Sequence, residues 1–143
     1  EITLVELTDN QGLVYLGGVV EQATLAVYLA QLKGLLNEKY TSFRQNQEIR
    51  DHGQFHVTLV NPYEYQKINK NQFTLGEKFN VSLKGLGRVE KDSSATYFVV
   101  VSSDEGQRFR QTLLLKAKDF HITLGFEPND IYSEPKGVDT LIK

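Results

Sequence analysis

The sequence predicts an α+β fold: two pseudo-symmetric lobes, each an antiparallel sheet with a packed helix, around a central cleft. Three observations predict it. Phe55-His56-Val57-Thr58-Leu59 and Phe120-His121-Ile122-Thr123-Leu124 repeat one pattern 65 residues apart. The order strand, helix, His-x-Thr strand occurs twice, once per half, which places one motif in each lobe. No Pro-rich or low-complexity linker divides the halves, so residues 1–143 read as one bilobal domain, long enough to bury a core.

The elements follow in order. Leu13 to Val20 (LVYLGGVV) reads as a buried strand, with Gly17-Gly18 marking a bend or a close backbone approach that serves packing. Leu25, Tyr28, Leu29, Leu32, Leu35 and Leu36 keep the i, i+3, i+4, i+7 spacing of an amphipathic helix starting near Thr24. Thr41 to Gly53 is polar and reads as a loop that ends in the turn Arg50-Asp51-His52-Gly53. The strand carrying His56 comes next and stops at Asn61-Pro62.

Residues 62–76 show no clear periodicity. Phe79, Val81 and Leu83 alternate along a strand toward Val89, with a bulge or turn at Lys84-Gly85-Leu86-Gly87. Lys91-Asp92-Ser93-Ser94 is a turn, and Thr96 to Val101 a β-branched and aromatic strand. A helix starts at Ser103-Asp104-Glu105 and buries Phe109, Leu113 and Leu114. The strand of His121 follows, and Glu127 onward is a Pro- and Gly-containing tail without periodicity. Beyond the pentapeptides and the order of elements, the halves share no further repeat.

Composition narrows the chemistry. A net charge of −2 argues against a broad basic face for long duplex nucleic acid, but a small phosphorylated ligand needs only a few local donors. No apolar run approaches the roughly 18 residues of a membrane helix. The chain starts at Glu1 without Met, as a processed or excised chain would, and reads as a cytoplasmic monomer. The absence of cysteine removes disulfides, thiolate catalysis and Cys-ligated zinc. Its three histidines show neither His-x3-His nor His-Glu-x2-His spacing, so no metal site is expected.

Strand geometry gives the pentapeptides their meaning. Side chains alternate faces, so His56 and Thr58 emerge together, as do His121 and Thr123, while the Val, Ile and Leu residues turn to the core. Two such strands facing each other assemble two imidazoles and two hydroxyls. Imidazole titrates near neutral pH and suits both general acid and general base. His56 and His121 are therefore the candidate catalytic residues, with Thr58 and Thr123 as phosphate-binding hydroxyls. One His-x-Thr strand alone would be ordinary edge decoration; the matched pair is what points to chemistry.

Lesser candidates surround the pair. Tyr63 and Tyr65 follow the first motif, and Phe126 and Tyr132 the second. An aromatic there can stack a base for about 1–3 kcal/mol, although each taken singly reads as rim or core cover. Lys84 beside the glycine turn can meet a phosphate, though an isolated Lys is usually solvated. Tyr63, Lys84, Phe126 and Tyr132 are thus candidate substrate-binding residues. His52, turned away at Gly53, reads as surface.

The two motifs and their apolar flanks resemble the signature of the two-histidine (2H) phosphoesterase superfamily. Val81-Ser82-Leu83-Lys84-Gly85-Leu86-Gly87 looks like that family's strand and glycine turn, and the order from Ala95 through Phe109 and Leu113 matches its elements. Phe120 to Ile131 (FHITLGFEPNDI) looks closest to the Swiss-army-knife, RNA-repair-like branch. The resemblance implies a bilobal fold with pseudo-twofold symmetry and phosphodiester hydrolysis without metal or organic cofactor. The implied substrate is a nucleotide or short RNA-like phosphodiester: a 2′,3′-cyclic phosphate, a 2′,5′ linkage or an RNA end. Two departures stand. Phe replaces the Pro that often precedes the motif histidine at both sites, and no arginine occupies the strand around Tyr97. A non-catalytic nucleotide-binding or sequestering module in the same cleft is the alternative. A scaffold domain ranks last, for want of an exposed apolar stripe.

Overall fold

The structure, a computed structural model, describes residues 1–142. The chain opens with β1 (Ile2–Thr3), β2 (Val5–Thr8) and β3 (Val14–Val20). A 3-10 turn (Gln22–Leu25) leads into helix α1 (Ala26–Leu36), and α2 (Tyr40–Arg50) follows. Then come β4 (Phe55–Val60), the short helix α3 (Pro62–Tyr65), β5 (Lys78–Phe79), β6 (Ser82–Lys91), β7 (Ser94–Ser102), α4 (Asp104–Thr112) and β8 (Phe120–Glu127). Two three-stranded antiparallel sheets result, ordered β2-β3-β4 and β6-β7-β8, while β1 pairs with β5 across the halves. This is the α+β, two-sheet architecture expected. Ile2–Thr8 adds strands that the sequence reading did not contain.

Each motif strand sits at the edge of its own sheet. Phe55, Val57 and Leu59 of β4 and Phe120, Ile122 and Leu124 of β8 bury their side chains in one shared core. Leu25, Leu29 and Leu32 cover that core from one side, and Phe109 and Leu113 from another. Gly17 is required by close approach: a Cβ there would lie 2.1 Å from the carbonyl oxygen of Val57.

The two edges pack against one another without pairing. Their free carbonyls still need donors, because an unpaired buried acceptor costs about 1–3 kcal/mol. Side chains supply them. Arg44 on α2 donates from Nη1 to the Leu124 carbonyl on β8 at 2.5 Å, and Asn46 donates to Phe126 O at 2.8 Å. Arg110 on α4 donates from Nη1 to the Leu59 carbonyl on β4 at 2.8 Å, while Glu64 holds its guanidinium through bonds of 2.9 and 2.8 Å. Leu59 and Leu124 are the last residues of the two pentapeptides. Each arginine reaches across to the motif strand of the other half.

Two expectations are corrected here. Thr41 to Gly53 is not a loop: residues up to Arg50 form α2. Phe43 is its one buried apolar side chain; the other inward positions are Arg44 and Gln47, which bury because they are hydrogen-bonded. A search for apolar periodicity passes over such a helix, although Arg, Gln and Glu are good helix formers. The turn does occur, at His52 (φ 56°) and Gly53 (φ 76°). The halves also share a further repeat, Phe43-Arg44-Gln45 and Phe109-Arg110-Gln111. It lies 12 residues before His56 counted from Arg44 but 11 before His121 counted from Arg110, so a rigid alignment of the pentapeptides misses it.

Smaller differences have local causes. Leu114 is 92% exposed with φ 63°, because α4 has already ended and the chain reverses there; Leu115 turns inward instead. Asn61 does stop β4, and it caps α3 through a reciprocal bond pair with Glu64. Ser103 caps α4 by accepting from Gly106 N at 2.9 Å. The aperiodic tail follows a defined path over the second sheet, where Leu141 bridges Gly87 and Ile142 N donates to Leu86 O. Among the described residues, no helix is long and apolar enough to cross a membrane.

The two arginines should matter far beyond their surface area. Arg44→Met and Arg110→Met are each expected to cost about 2–4 kcal/mol in urea unfolding, since each orphans a strand-edge carbonyl. Leu114→Ser should change stability by less than about 0.5 kcal/mol. Arginine variants as stable as Leu114→Ser would contradict the bracing role.

Candidate active site

Alternation on β4 turns His56 and Thr58 away from the core and leaves both half-buried. On β3, Val19 stands opposite His56 and Gly17 opposite Thr58, so Tyr15 shares their face two residues further along. Gly17 places no side chain between them. The Tyr15 hydroxyl lies 3.3 Å from His56 Nε2, with ring centroids 5.5 Å apart. Burial, reinforced by the negative charge of Asp51, pushes the Tyr15 phenol up to about 12. Tyr15 therefore stays protonated beside a neutral His56.

On β8, His121 stands opposite Val100 and Thr123 opposite Phe98. The Phe98 ring meets the His121 imidazole edge-on at 5.7 Å between centroids. His121 Nδ1 faces the Asp119 carbonyl at 3.5 Å. Beyond Thr123 the ladder carries a bulge, so that Phe126 stands opposite Thr96 rather than on the core face. Phe126 thereby joins His121 and Thr123 on the cleft side.

A row of charges links the two motifs. Arg50, the last residue of α2, donates to both carboxylate oxygens of Asp51 at 2.8 Å each, and Gln47 donates to Asp51 as well. Arg50 also donates to Asp130 and reaches the Tyr132 hydroxyl at 3.3 Å, with its guanidinium carbon 4.9 Å from the Phe126 ring centroid. The other Asp130 oxygen accepts from Lys136 Nζ at 3.1 Å. Burial raises the Asp130 carboxyl, but Lys136 and Arg50 more than offset it and hold it below the usual range. The row thus runs Asp51, Arg50, Asp130, Lys136, with Asp51 acting on His56 and Lys136 on His121.

Both imidazoles are neutral at neutral pH. Burial drives His121 down to about 3; Lys136 adds to the effect and Asp130 opposes it. His56 is also lowered by burial, with Asp51 opposing and Arg50 adding. Among the described residues, no three His, Cys, Asp or Glu side chains are arranged to hold a metal ion. A hollow of about 290 Å³ opens beside the row, lined in part by Asn10, Ile49, Arg50, Phe126 and Tyr132. Neither this hollow nor a larger one of about 440 Å³, around Ser82, Ser102 and Arg108, is lined by His56, Thr58, His121 or Thr123.

The expected residues fall into two groups. His56 and Thr58 share the non-core face of β4, and His121 and Thr123 that of β8, while Phe126 and Tyr132 join the charged row. Tyr63 stands exposed on α3, past the end of β4 away from His56. Lys84 is exposed at the bulge of β6, with β7 between it and β8. Neither is brought to the imidazoles. His52 is exposed, as expected. Sequence reasoning missed Tyr15, Arg50, Asp51, Asp130 and Lys136. For Tyr15 a signal is present, because alternation places it on the face of Gly17 and Val19.

A family model described as "Swiss Army Knife, 2H phosphoesterase domain" matches residues 20–132. The chain belongs to this family. No curated protein and no solved structure matches it. As a 2H phosphoesterase domain, the protein carries a phosphodiesterase-type function in general terms. Both motifs, Arg50, Asp51 and Asp130 lie within the matched span; Tyr15 and Lys136 lie outside it.

The depressed imidazoles make the 2H domain acid-sensitive. An unfolded chain protonates His121 near pH 6.5, whereas the folded one does so only near 3. The unfolded state therefore binds more protons in between, and stability falls as pH drops through that window. The slope from this one group is at most about 1.4 kcal/mol per pH unit. Between pH 7.5 and 4.5, wild type should lose about 2–3 kcal/mol more than His121→Gln in urea unfolding. Equal losses would mean that His121 titrates as an exposed histidine does.

Proposed function

We propose that the protein hydrolyses a nucleotide phosphodiester, a 2′,3′-cyclic phosphate, a 2′,5′ linkage or an RNA end, by acid–base catalysis between His56 and His121. One observation supports the reading: each half carries an imidazole and a threonine on the non-core face of an edge strand, and the two edges pack together. His121, neutral in the free protein, takes a proton from the attacking water. The water oxygen bonds to phosphorus while the bond to the leaving oxygen breaks. His56, protonated once the substrate's negative charge enters beside Asp51, gives its proton to that leaving oxygen. Proton exchange with solvent then resets the pair. Thr58 and Thr123 donate to the non-bridging oxygens, for which a hydrogen bond to a charged group is worth about 1.5–3 kcal/mol. The two imidazoles account for both proton transfers, so no metal or organic cofactor enters the scheme.

A second reading has its own support. In the free protein His56 Nε2 already meets the Tyr15 hydroxyl, and neither imidazole is cationic. That state also suits a module that binds a nucleotide and leaves it intact.

Turnover separates the two. Incubation with 2′,3′-cyclic nucleotides and a 2′,5′-dinucleotide in excess chelator, followed by phosphorus NMR, should give a nucleoside monophosphate. His56→Ala and His121→Ala should each lower kcat/KM by about 10²–10⁴-fold with folding retained. Substrate bound but recovered unchanged would establish the sequestering module instead.

A further inference from the structure

The proposed acid–base scheme leaves unanswered what balances the charge on the phosphate itself. Both imidazoles start neutral, and the row Asp51, Arg50, Asp130, Lys136 carries two charges of each sign. Arg50 makes four hydrogen bonds, to Asp51, Asp130 and Tyr132. Lys136 does not. Its side chain is buried, with the residue only 4% exposed, and its ammonium carries three donors but meets one acceptor, Asp130 Oδ1 at 3.1 Å.

The rest of its surroundings are aromatic faces. Lys136 Nζ lies 5.6 Å from the centroid of Phe98 and 5.7 Å from that of Tyr132. Such faces attract a cation but accept no ordinary hydrogen bond. Phe98 is also the ring that His121 meets edge-on, so ammonium and imidazole flank one side chain. The position is built. Lys91 holds the approach through Ser133 at 2.9 Å and Glu134 at 3.2 Å, and a Cβ on Gly137 would come within 2.9 Å of the Asp119 carboxylate. Beside Asp130, Thr96 buries a hydroxyl without a well-formed hydrogen bond, a second polar group short of a partner.

We propose that Lys136, carried by the segment beyond the family-matched residues, is a direct ligand of the substrate's phosphate and gives its two unpaired N–H groups to non-bridging oxygens beside His121. Asp130 is then a positioning residue. It holds the ammonium in place in the free protein and competes with the phosphate for it. The substrate's identity rests on the phosphodiesterase reading, but anion binding does not require turnover.

Inorganic phosphate is the probe, titrated into the full chain while the imidazole resonances of His56 and His121 are followed by NMR. Phosphate should move the His121 signals of wild type. Lys136→Gln should need at least tenfold more phosphate, with thermal unfolding still cooperative, and Lys136→Arg should stay within a few-fold of wild type. Asp130→Asn removes the competing carboxylate and should tighten binding a few-fold, the opposite of what loss of a merely structural ion pair would do. Lys136→Gln binding phosphate as wild type does, or Asp130→Asn binding it more weakly, would overturn the assignment. Should Lys136→Gln not fold, Lys136→Arg and Asp130→Asn still decide it. The predicted order of phosphate affinities in a protein that hydrolyses no diester would refute the phosphodiesterase reading and leave Lys136 as an anion ligand. Turnover with full kcat/KM in Lys136→Gln would do the reverse.

Discussion

Two edge strands that lie together without pairing are the constraint on which everything else depends. Direct pairing of β4 with β8 would have closed one continuous sheet and left no cleft. Leaving them apart exposes carbonyls that must find donors inside the protein. Arg44 and Arg110 answer this from opposite sides, each reaching from one half to the last residue of the other half's pentapeptide. Arg44 also lies 4.8 Å from the Phe55 ring centroid, so one guanidinium touches both motif strands. The spacing of the two histidines is thus set by side chains spanning the seam rather than by a backbone ladder. Because side-chain bonds to charged donors are strong and directional, the seam is rigid while its cleft side stays open.

The same economy of polar groups shapes the electrostatics. Asp51 and Asp130 each take bonds from Arg50, and Asp130 takes one more from Lys136, so four charges, two buried and two half-buried, cancel in a single line. The imidazoles at its two ends feel opposite signs, Asp51 opposing the fall in His56 and Lys136 deepening that in His121. Identical motifs are thereby made unlike.

What the sequence disclosed follows the same physics. The motif strands were legible because period-two alternation needs only apolar residues on one face, and Phe55, Val57 and Leu59 supply them. Helix α2 was not, because its buried positions Arg44 and Gln47 are polar and are satisfied by hydrogen bonds, Arg44 to the distant Leu124 carbonyl and Gln47 to Asp51 and the Gln54 carbonyl. The duplicated Phe-Arg-Gln was present in the letters but shifted by one residue against the motifs. Phe126 was named for stacking, yet its presence on the cleft side depends on a bulge that no local pattern announces. Asp130 and Lys136 sit in an aperiodic tail whose path is fixed by contacts with Lys91, Asp119 and Gly87 rather than by its own propensities. Tyr15 is the instructive omission, since alternation alone places it on the face of Gly17 and Val19.

The central claim is that both motif histidines act on one phosphorus atom. A crystal structure with orthovanadate, which adopts the five-coordinate geometry of phosphoryl transfer, tests it most directly. The account predicts a single vanadium between the lobes, with Nε2 of His56 and Nε2 of His121 each within hydrogen-bonding distance of one of its oxygens. Vanadate held by one motif alone, or lodged in the hollow beside Tyr132 with the imidazoles untouched, would contradict it.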